Sequence, residues 1–362
     1  VSQALEKEEC VDVNLTQEEV ELYYEGFSNK TIWPLFHYFT QFVEYEEEQW
    51  QAYKRVNQKF ADVIAQNMEG VDKIWVHDYH LLLLPQMIKE KFPDVTIGFF
   101  LHIPFPSFEI FRLLPWRIEI LQGLIGADLV GFHTYDYVRH FLSSIQRLCG
   151  LDNTMGLISV NSRQIKIDAF PMGIDYTRYA HAGQRKKVQE ELSELRKKVG
   201  RRKVIFSVDR LDYTKGILQR LEAFDWYLST HPQMRGKVVM ILLAVPSRTG
   251  VEDYDQLRNH LEQLVGRING SLGTIGWIPV WYLFRAVPFE RLVALYKLAD
   301  AALITPLRDG MNLIAKEYLA AKDDQRGVLI LSEMAGAANE LPEALTVNAF
   351  DKKAIVEAID RA

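Results

Sequence analysis

A chain of 362 residues suggests about two domains at roughly 100–200 residues each. It is 48% apolar and 25% charged, an ordinary globular balance with ample core material, and its net charge of −6 speaks against a general nucleic-acid surface. Two cysteines, Cys10 and Cys149, exclude a disulfide framework and a cysteine-based zinc site, and suit a reducing cytoplasm. The longest apolar runs, such as Val238 to Pro246, fall well short of the ~20 residues a membrane span needs. The acidic N-terminus VSQALEKEEC lacks the basic and apolar regions of a signal peptide.

In chain order, the spacing predicts a strand from Lys73 to Val76, a helix from Tyr79 to Lys91, and strands at Thr96 to Leu101 and Leu129 to Phe132. A helix from Tyr135 to Leu148 follows. Between Asp175 and Arg202 the composition turns strongly charged (GQRKKVQEELSELRKKVGRRK) and reads as a solvated helix leading into a linker. The domain boundary is expected there, dividing the chain into residues 1–190 and 191–362. Strands at Val204 to Val208, Val238 to Val245 and Ala301 to Thr305 alternate with helices at Ile217 to His231 and Phe289 to Leu298. Continuous rather than alternating apolar strands suit parallel sheets covered on both faces, so the expected class is α/β with doubly wound domains.

In open α/β sheets ligands bind at the carboxyl ends of the strands. The unusual polar residues of this chain fall there five times: HDYH (77–80), HIP (102–104), DRLDYTKG (209–216), PSR (246–248) and TPLRDGMNLIAKEY (305–318). Singly, each has a plainer reading: Asp78 or Asp309 as a helix cap, His102 as a core histidine, Arg210 and Lys215 paired with Asp209 and Asp212, Arg248 as a solvated loop arginine. Together they read as a site, and a cleft between two facing domains would gather them. Arg210 and Lys215, five apart across a turn closed by Gly216, are spaced to clamp a diphosphate. Gly310 and Asn312 lead into a helix N-terminus, whose free N–H groups and dipole also favour phosphate. No GxxxxGK[ST] motif and no convincing GxGxxG after the first strand is present, which argues against a P-loop kinase and a typical nicotinamide-binding domain. Nothing in the spacing demands a metal, and a basic clamp can neutralise a leaving diphosphate in its place.

Eight blocks resemble the trehalose-6-phosphate synthases, retaining glucosyltransferases of the two-Rossmann-domain GT-B fold. They are GFSNKTIWPLFHY (26–38), WVHDYHLLLLP (75–85), GFFLHIPFPSFEIFR (98–112), FPMGID (170–175), FSVDRLDYTKG (206–216), GRINGSLGTIGWIP (266–279), TPLRDGMNLIAKEY (305–318) and GAANEL (336–341), in the expected order. The resemblance implies transfer of glucose from UDP-glucose to glucose-6-phosphate with retention, giving α,α-trehalose-6-phosphate and UDP. On it, Arg210 and Lys215 match the pair on the donor diphosphate, and Glu317 the carboxylate holding the ribose hydroxyls. Asp309, with the backbone of Gly310, Met311, Asn312 and Leu313, matches the contact to donor glucose and diphosphate. His102 resembles the residue at the reaction centre and Asp78 the carboxylate orienting the acceptor. Tyr24, Trp33 and Arg248 resemble the acceptor side.

The resemblance further implies small-molecule substrates, no cofactor or metal, no nucleic acid or membrane partner, and a homo-oligomer or a fused or associated phosphatase domain. The family's first strand and its glycine-containing loop have no counterpart, nor has its last helix. The expectation is therefore a fragment of a longer protein with an incomplete first domain. Two other readings remain open from the residues: a non-catalytic sugar-phosphate-binding regulator, and a related glycosyltransferase with another donor nucleotide or acceptor.

Overall fold

The computed structural model describes residues 10–160, 163–247 and 252–362. They form two compact units, Val1–Pro171 and Met172–Ala362, each built on its own six-stranded sheet.

In the first unit, β1 (Lys73–His77), β2 (Thr96–Phe100), β3 (Leu129–Phe132) and β6 (Arg163–Ala169) run parallel. An antiparallel extension, β5 (Leu157–Val160) and β4 (Asn153–Thr154), completes the order β1-β2-β3-β6-β5-β4. The helices include α1 (Glu47–Gln66), α2 (Leu84–Lys91) and α3 (Tyr135–Cys149). The expected helix from Tyr79 begins later than its periodicity suggests. Tyr79–Leu81 makes a single tight turn, and regular helix starts at Leu84, with Pro85 in the first turn where its missing N–H costs nothing.

In the second unit, α4 (Tyr176–Ala180) and α5 (Lys186–Val199) precede the first strand, β7 (Lys203–Arg210). Then come α6 (Ile217–Thr230), β8 (Val238–Val245), α7 (Glu252–Leu272), β9 (Val280–Phe284), α8 (Phe289–Leu298) and β10 (Ala301–Ile304). α9 (Leu313–Ala321), β11 (Val328–Ser332), β12 (Leu345–Val347) and α10 (Lys352–Arg361) close it. Its strands are all parallel, in the order β12-β11-β10-β7-β8-β9. Counted within the unit this is 6-5-4-1-2-3, the doubly wound dinucleotide-binding order. Residues of β7 alternate between two cores: Val204, Phe206 and Val208 join α5, α8 and α9, while Ile205 joins α6, α7 and α10. That double coverage buries both faces of the strand, including Ser207 and Asp209 on the face of Ile205.

The boundary lies earlier than the expected one after residue 190: the units divide between Pro171 and Met172. Charge misleads here. α5 is polar on most of its surface, yet Val188, Leu192, Leu195 and Val199 recur at helical spacing and are buried in the second core. Each such apolar side chain contributes about 1.5–3 kcal/mol, so the segment is an integral helix rather than a linker.

Candidate functional site

In the second unit β7 and β10 lie side by side, the first and fourth strands of the unit. Chain connections leave this pair in opposite directions, which opens a crevice at their carboxyl ends. Both sequence-predicted donor loops emerge there. After β7, the Asp212 side chain accepts from Thr214 N–H at 2.9 Å and caps the turn Tyr213–Lys215. Gly216 then takes φ +65°, and a Cβ on it would lie 2.3 Å from the Thr305 carbonyl oxygen. Only glycine fits both constraints.

The loops after β7, β10 and β11 are tied through their backbones. Thr214 carbonyl accepts from Leu307 N–H at 2.7 Å and from Arg308 N–H at 3.3 Å. Asp309 N–H donates to Met334 carbonyl at 3.1 Å, Gly336 N–H to Asp309 carbonyl at 3.2 Å, and Ala337 N–H to Met311 carbonyl at 2.7 Å. Gly336 packs so closely that an added Cβ would meet Gly310 oxygen at 2.1 Å. The GAANEL block therefore acts as the third wall of the loop cluster.

Beneath the loops sits Arg220, fully buried on α6. Its guanidinium pairs with Asp209 at 2.6 Å and donates to Ser207 Oγ at 2.9 Å, Thr305 Oγ1 at 3.2 Å and Lys215 carbonyl at 2.6 Å. One side chain thus fixes β7, the start of the β10 loop and the main chain of Lys215. Burial pushes the Asp209 carboxyl upward, opposed by the charges of Arg220 and Lys215.

Lys215 Nζ reaches Asp309 Oδ2 at 2.6 Å, with both side chains largely shielded. Asn312 donates to the same Asp309 oxygen at 3.0 Å, and its own side-chain oxygen accepts from Ala315 N–H at 3.2 Å as the N-cap of α9. Asn312 takes φ +73°, a left-handed conformation uncommon outside glycine but tolerated best by Asn and Asp. Arg210 is exposed at the end of β7. Glu317, on α9, accepts from Tyr296 hydroxyl at 2.8 Å, and its charge raises the pKa of the nearby Tyr179. Among the second unit's candidates, Lys215, Asp309 and Asn312 are in direct contact, while Gly310, Met311 and Leu313 complete the loop and first turn of α9.

In the first unit, β1 and β2 present Asp78 and His102 at neighbouring strand ends. Asp78 does not cap a helix with its side chain. It takes φ +73° and accepts from His102 N–H at 3.2 Å through Oδ1, while its own N–H donates to Phe100 carbonyl at 2.8 Å. A non-glycine residue held there against its preference costs of order 1–3 kcal/mol and marks a functional position more often than a structural one. The His102 ring nitrogen Nε2 lies 2.9 Å from His77 Nδ1, and His133 Nε2 donates to His102 carbonyl at 3.1 Å. Burial lowers the His102 pKa, and burial with the neighbouring His102 lowers that of His77. Tyr24 is half-exposed and stacked on His80, rings 5.4 Å apart. Trp33 is only 4% exposed and packs on Tyr79 and His37. Arg248 lies outside the described residues.

Sequence reasoning missed Arg220, Ser207, Thr305, Tyr179 and Tyr296. Each lies on an apolar or helical stretch where position alone assigns no role. Among the described residues no cluster of three or more His, Cys, Asp or Glu side chains is arranged to hold a metal ion.

Two Rossmann-like α/β units, one carrying a cation–carboxylate cluster at its switch point, define a GT-B glycosyltransferase fold. The whole chain, residues 1–362, matches the sequence profile described as Glycosyltransferase family 20, and the protein belongs to that family. It is 52% identical over 352 residues to a Thermoproteus tenax protein named bifunctional trehalose-6-phosphate synthase/phosphatase, with 97% of this chain and 48% of that one aligned. It is 45% identical over 363 residues to the Saccharomyces cerevisiae alpha,alpha-trehalose-phosphate synthase (UDP-forming) 56 kDa subunit, covering 99% of this chain and 73% of that one. The Burkholderia xenovorans alpha,alpha-trehalose-phosphate synthase (UDP-forming), solved in complex with glucose-6-phosphate, superposes with a TM-score of 0.93 at 37% identity, covering 96% of this chain and 78% of that one. The chain thus spans about half the length of its Thermoproteus relative.

Proposed function

We propose that the protein transfers glucose from UDP-glucose to glucose-6-phosphate with retention of anomeric configuration, releasing UDP and α,α-trehalose-6-phosphate. The observation that carries this reading is the contact of Lys215, Asp309 and Asn312 at the switch point of the second unit. Lys215 and Arg210 neutralise the donor diphosphate as it departs. Asp309 and the Gly310–Leu313 backbone hold the donor glucose and phosphates, and Glu317 takes the ribose hydroxyls. His102 works at the reaction centre, Asp78 orients the acceptor, and Tyr24, Trp33 and Arg248 serve the acceptor side. Same-face attack lets a leaving phosphate oxygen accept the proton of the acceptor hydroxyl as the new glycosidic bond forms. The developing charge on that phosphate is met by fixed cations in a shielded pocket, where such stabilisation is strongest.

The cations stand in for a metal, so the reaction is proposed to be metal-independent. A cytoplasmic setting suits Cys10 and Cys149, which form no disulfide; no helix among the described residues is long and apolar enough to cross a membrane. The relative named as bifunctional supports an associated phosphatase activity as a further proposal. The test measures UDP release from UDP-glucose with and without glucose-6-phosphate, with chelator present, alongside GDP- and ADP-glucose. Acceptor-dependent UDP release that falls at least a hundredfold in Lys215→Ala is the expected result. A protein with no acceptor-dependent release would refute the assignment.

A further inference from the structure

Glu317 is approached from two other helices. Tyr296 of α8 donates its hydroxyl to Glu317 Oε2 at 2.8 Å, and Tyr179 of α4 lies near enough to the same carboxylate for its charge to raise the Tyr179 pKa. Tyr296 has no solvent exposure, its ring 5.7 Å from Phe206 and 6.2 Å from Tyr318. Tyr179 is half-buried, its ring edge-on to Phe289 at 5.3 Å. Both rings are thus locked by packing, and their hydroxyls approach from fixed directions. A buried tyrosine needs a partner for its O–H, and Tyr296 takes Glu317.

The proton inventory gives this arrangement a direction. An ionised carboxylate only accepts, through about four lone-pair positions on two oxygens. Burial and the charge of Glu317 raise the Tyr179 pKa to about 12, and the same causes raise that of Tyr296. Both therefore remain O–H donors wherever the protein is folded. Tyr296 consumes one acceptor position inside the fold, with Tyr179 beside the same carboxylate, and the remainder is available for hydroxyl donors.

We propose that Tyr296 and Tyr179 are positioning residues that fix the Glu317 carboxylate as an acceptor for a vicinal diol, and so set the preference for ribo- over 2′-deoxyribonucleoside diphosphates. This rests on the reading of Glu317 as the ribose carboxylate. A freely rotating glutamate could follow a single remaining hydroxyl and lose little when the 2′-OH is absent. A clamped one presents a lone pair that nothing else fills, and an unmet acceptor in a shielded site is costly.

The experiment compares UDP and 2′-deoxy-UDP binding by calorimetry to the chain, to Tyr296→Phe, Tyr179→Phe and Glu317→Gln, and to the Tyr296→Phe/Glu317→Gln double variant. Each tyrosine variant is expected to shrink the ribo/deoxy affinity ratio by about tenfold, roughly the effect of one hydrogen bond. Glu317→Gln is expected to remove most of the ratio, and the double variant to add nothing further. A purely structural tyrosine would lower the melting temperature and leave the ratio intact; that outcome with a collapsed ratio in Glu317→Gln overturns the positioning role while leaving the ribose reading standing. An unchanged ratio in Glu317→Gln overturns both. Should Tyr296→Phe fail to fold, the half-buried Tyr179→Phe decides the question alone.

Discussion

His102 is held from three directions: its N–H by Asp78, its carbonyl by His133 and its ring by His77. At 2.9 Å between ring nitrogens, one imidazole must donate and the other accept, so the pair cannot carry two full proton complements. Burial lowers both values, with Asp78 pulling His77 the other way. A lowered histidine pKa favours the neutral ring in the folded state. Its stabilising effect is complete above the ordinary value of about 6.5 and is lost as pH falls through the lowered one. The melting temperature should therefore decline between pH 7 and 5, and His102→Gln should flatten that decline; scanning calorimetry across the range checks it. Asp78 and His102 were legible in the sequence because a charged or titratable residue directly after an apolar strand adds nothing to the packing of that strand. Arg220 was not. It sits on the helix after the clamp loop, where arginine normally reads as surface, and its partners Ser207 and Thr305 lie 13 and 85 residues away.

At the scale of elements, the candidate site of the second unit consists of three loops tied to one another through their backbones. Gly216 is where the first of them passes the second. Alanine there meets both a left-handed backbone and a 2.3 Å approach to Thr305 oxygen, whereas at Gly200, φ +68°, an added Cβ has nothing within 4 Å. Gly216→Ala should cost about 3 kcal/mol or more in urea denaturation, and Gly200→Ala about 1–3 kcal/mol from backbone strain alone, its φ +68° and ψ −129° being a conformation nearly confined to glycine. Nucleotide binding should weaken only in the first. The elements themselves were unevenly legible. Strands buried on both faces, such as β7 and β8, announce themselves as unbroken apolar runs. The half-covered β6 (RQIKIDA), with Ile165 and Ile167 inward, and the short β4 and β5 give a weaker alternating signal among charged residues. α5 is legible as a helix yet mimics the approach to a linker, because its four inward residues are outnumbered by charges.

Across the whole molecule, the candidate roles divide by unit, with Arg248 of the acceptor set, which falls in the second unit's span, as the exception. Arg210, Lys215, Asp309 to Leu313 and Glu317 belong to the second, and Tyr24, Trp33, Asp78 and His102 to the first. Nucleotide affinity should then be separable from transfer. In calorimetry, Lys215→Ala and Glu317→Gln should weaken UDP by tenfold or more. Asp78→Asn and His102→Ala should keep UDP affinity within about twofold while abolishing turnover. Loss of UDP binding in either first-unit variant would contradict the division. The alternation of strand and helix, with the blocks that resemble the family, was enough to read two Rossmann-like units. The position of the division was not, because a chain passing between units at Pro171 leaves no compositional mark there.

The Lys215–Asp309 contact has a consequence for which ligands the pocket accepts. The pocket carries its own counter-ion: at 2.6 Å the ammonium is already neutralised by a neighbour as shielded as itself. A bare phosphate can capture the lysine only by abandoning the carboxylate in surroundings that hydrate it poorly. A sugar diphosphate brings an anion for one partner and hydroxyls for the other, so both ends of the broken pair are met at once. On the proposed function, the same two side chains thus favour a nucleotide sugar over a simple anion.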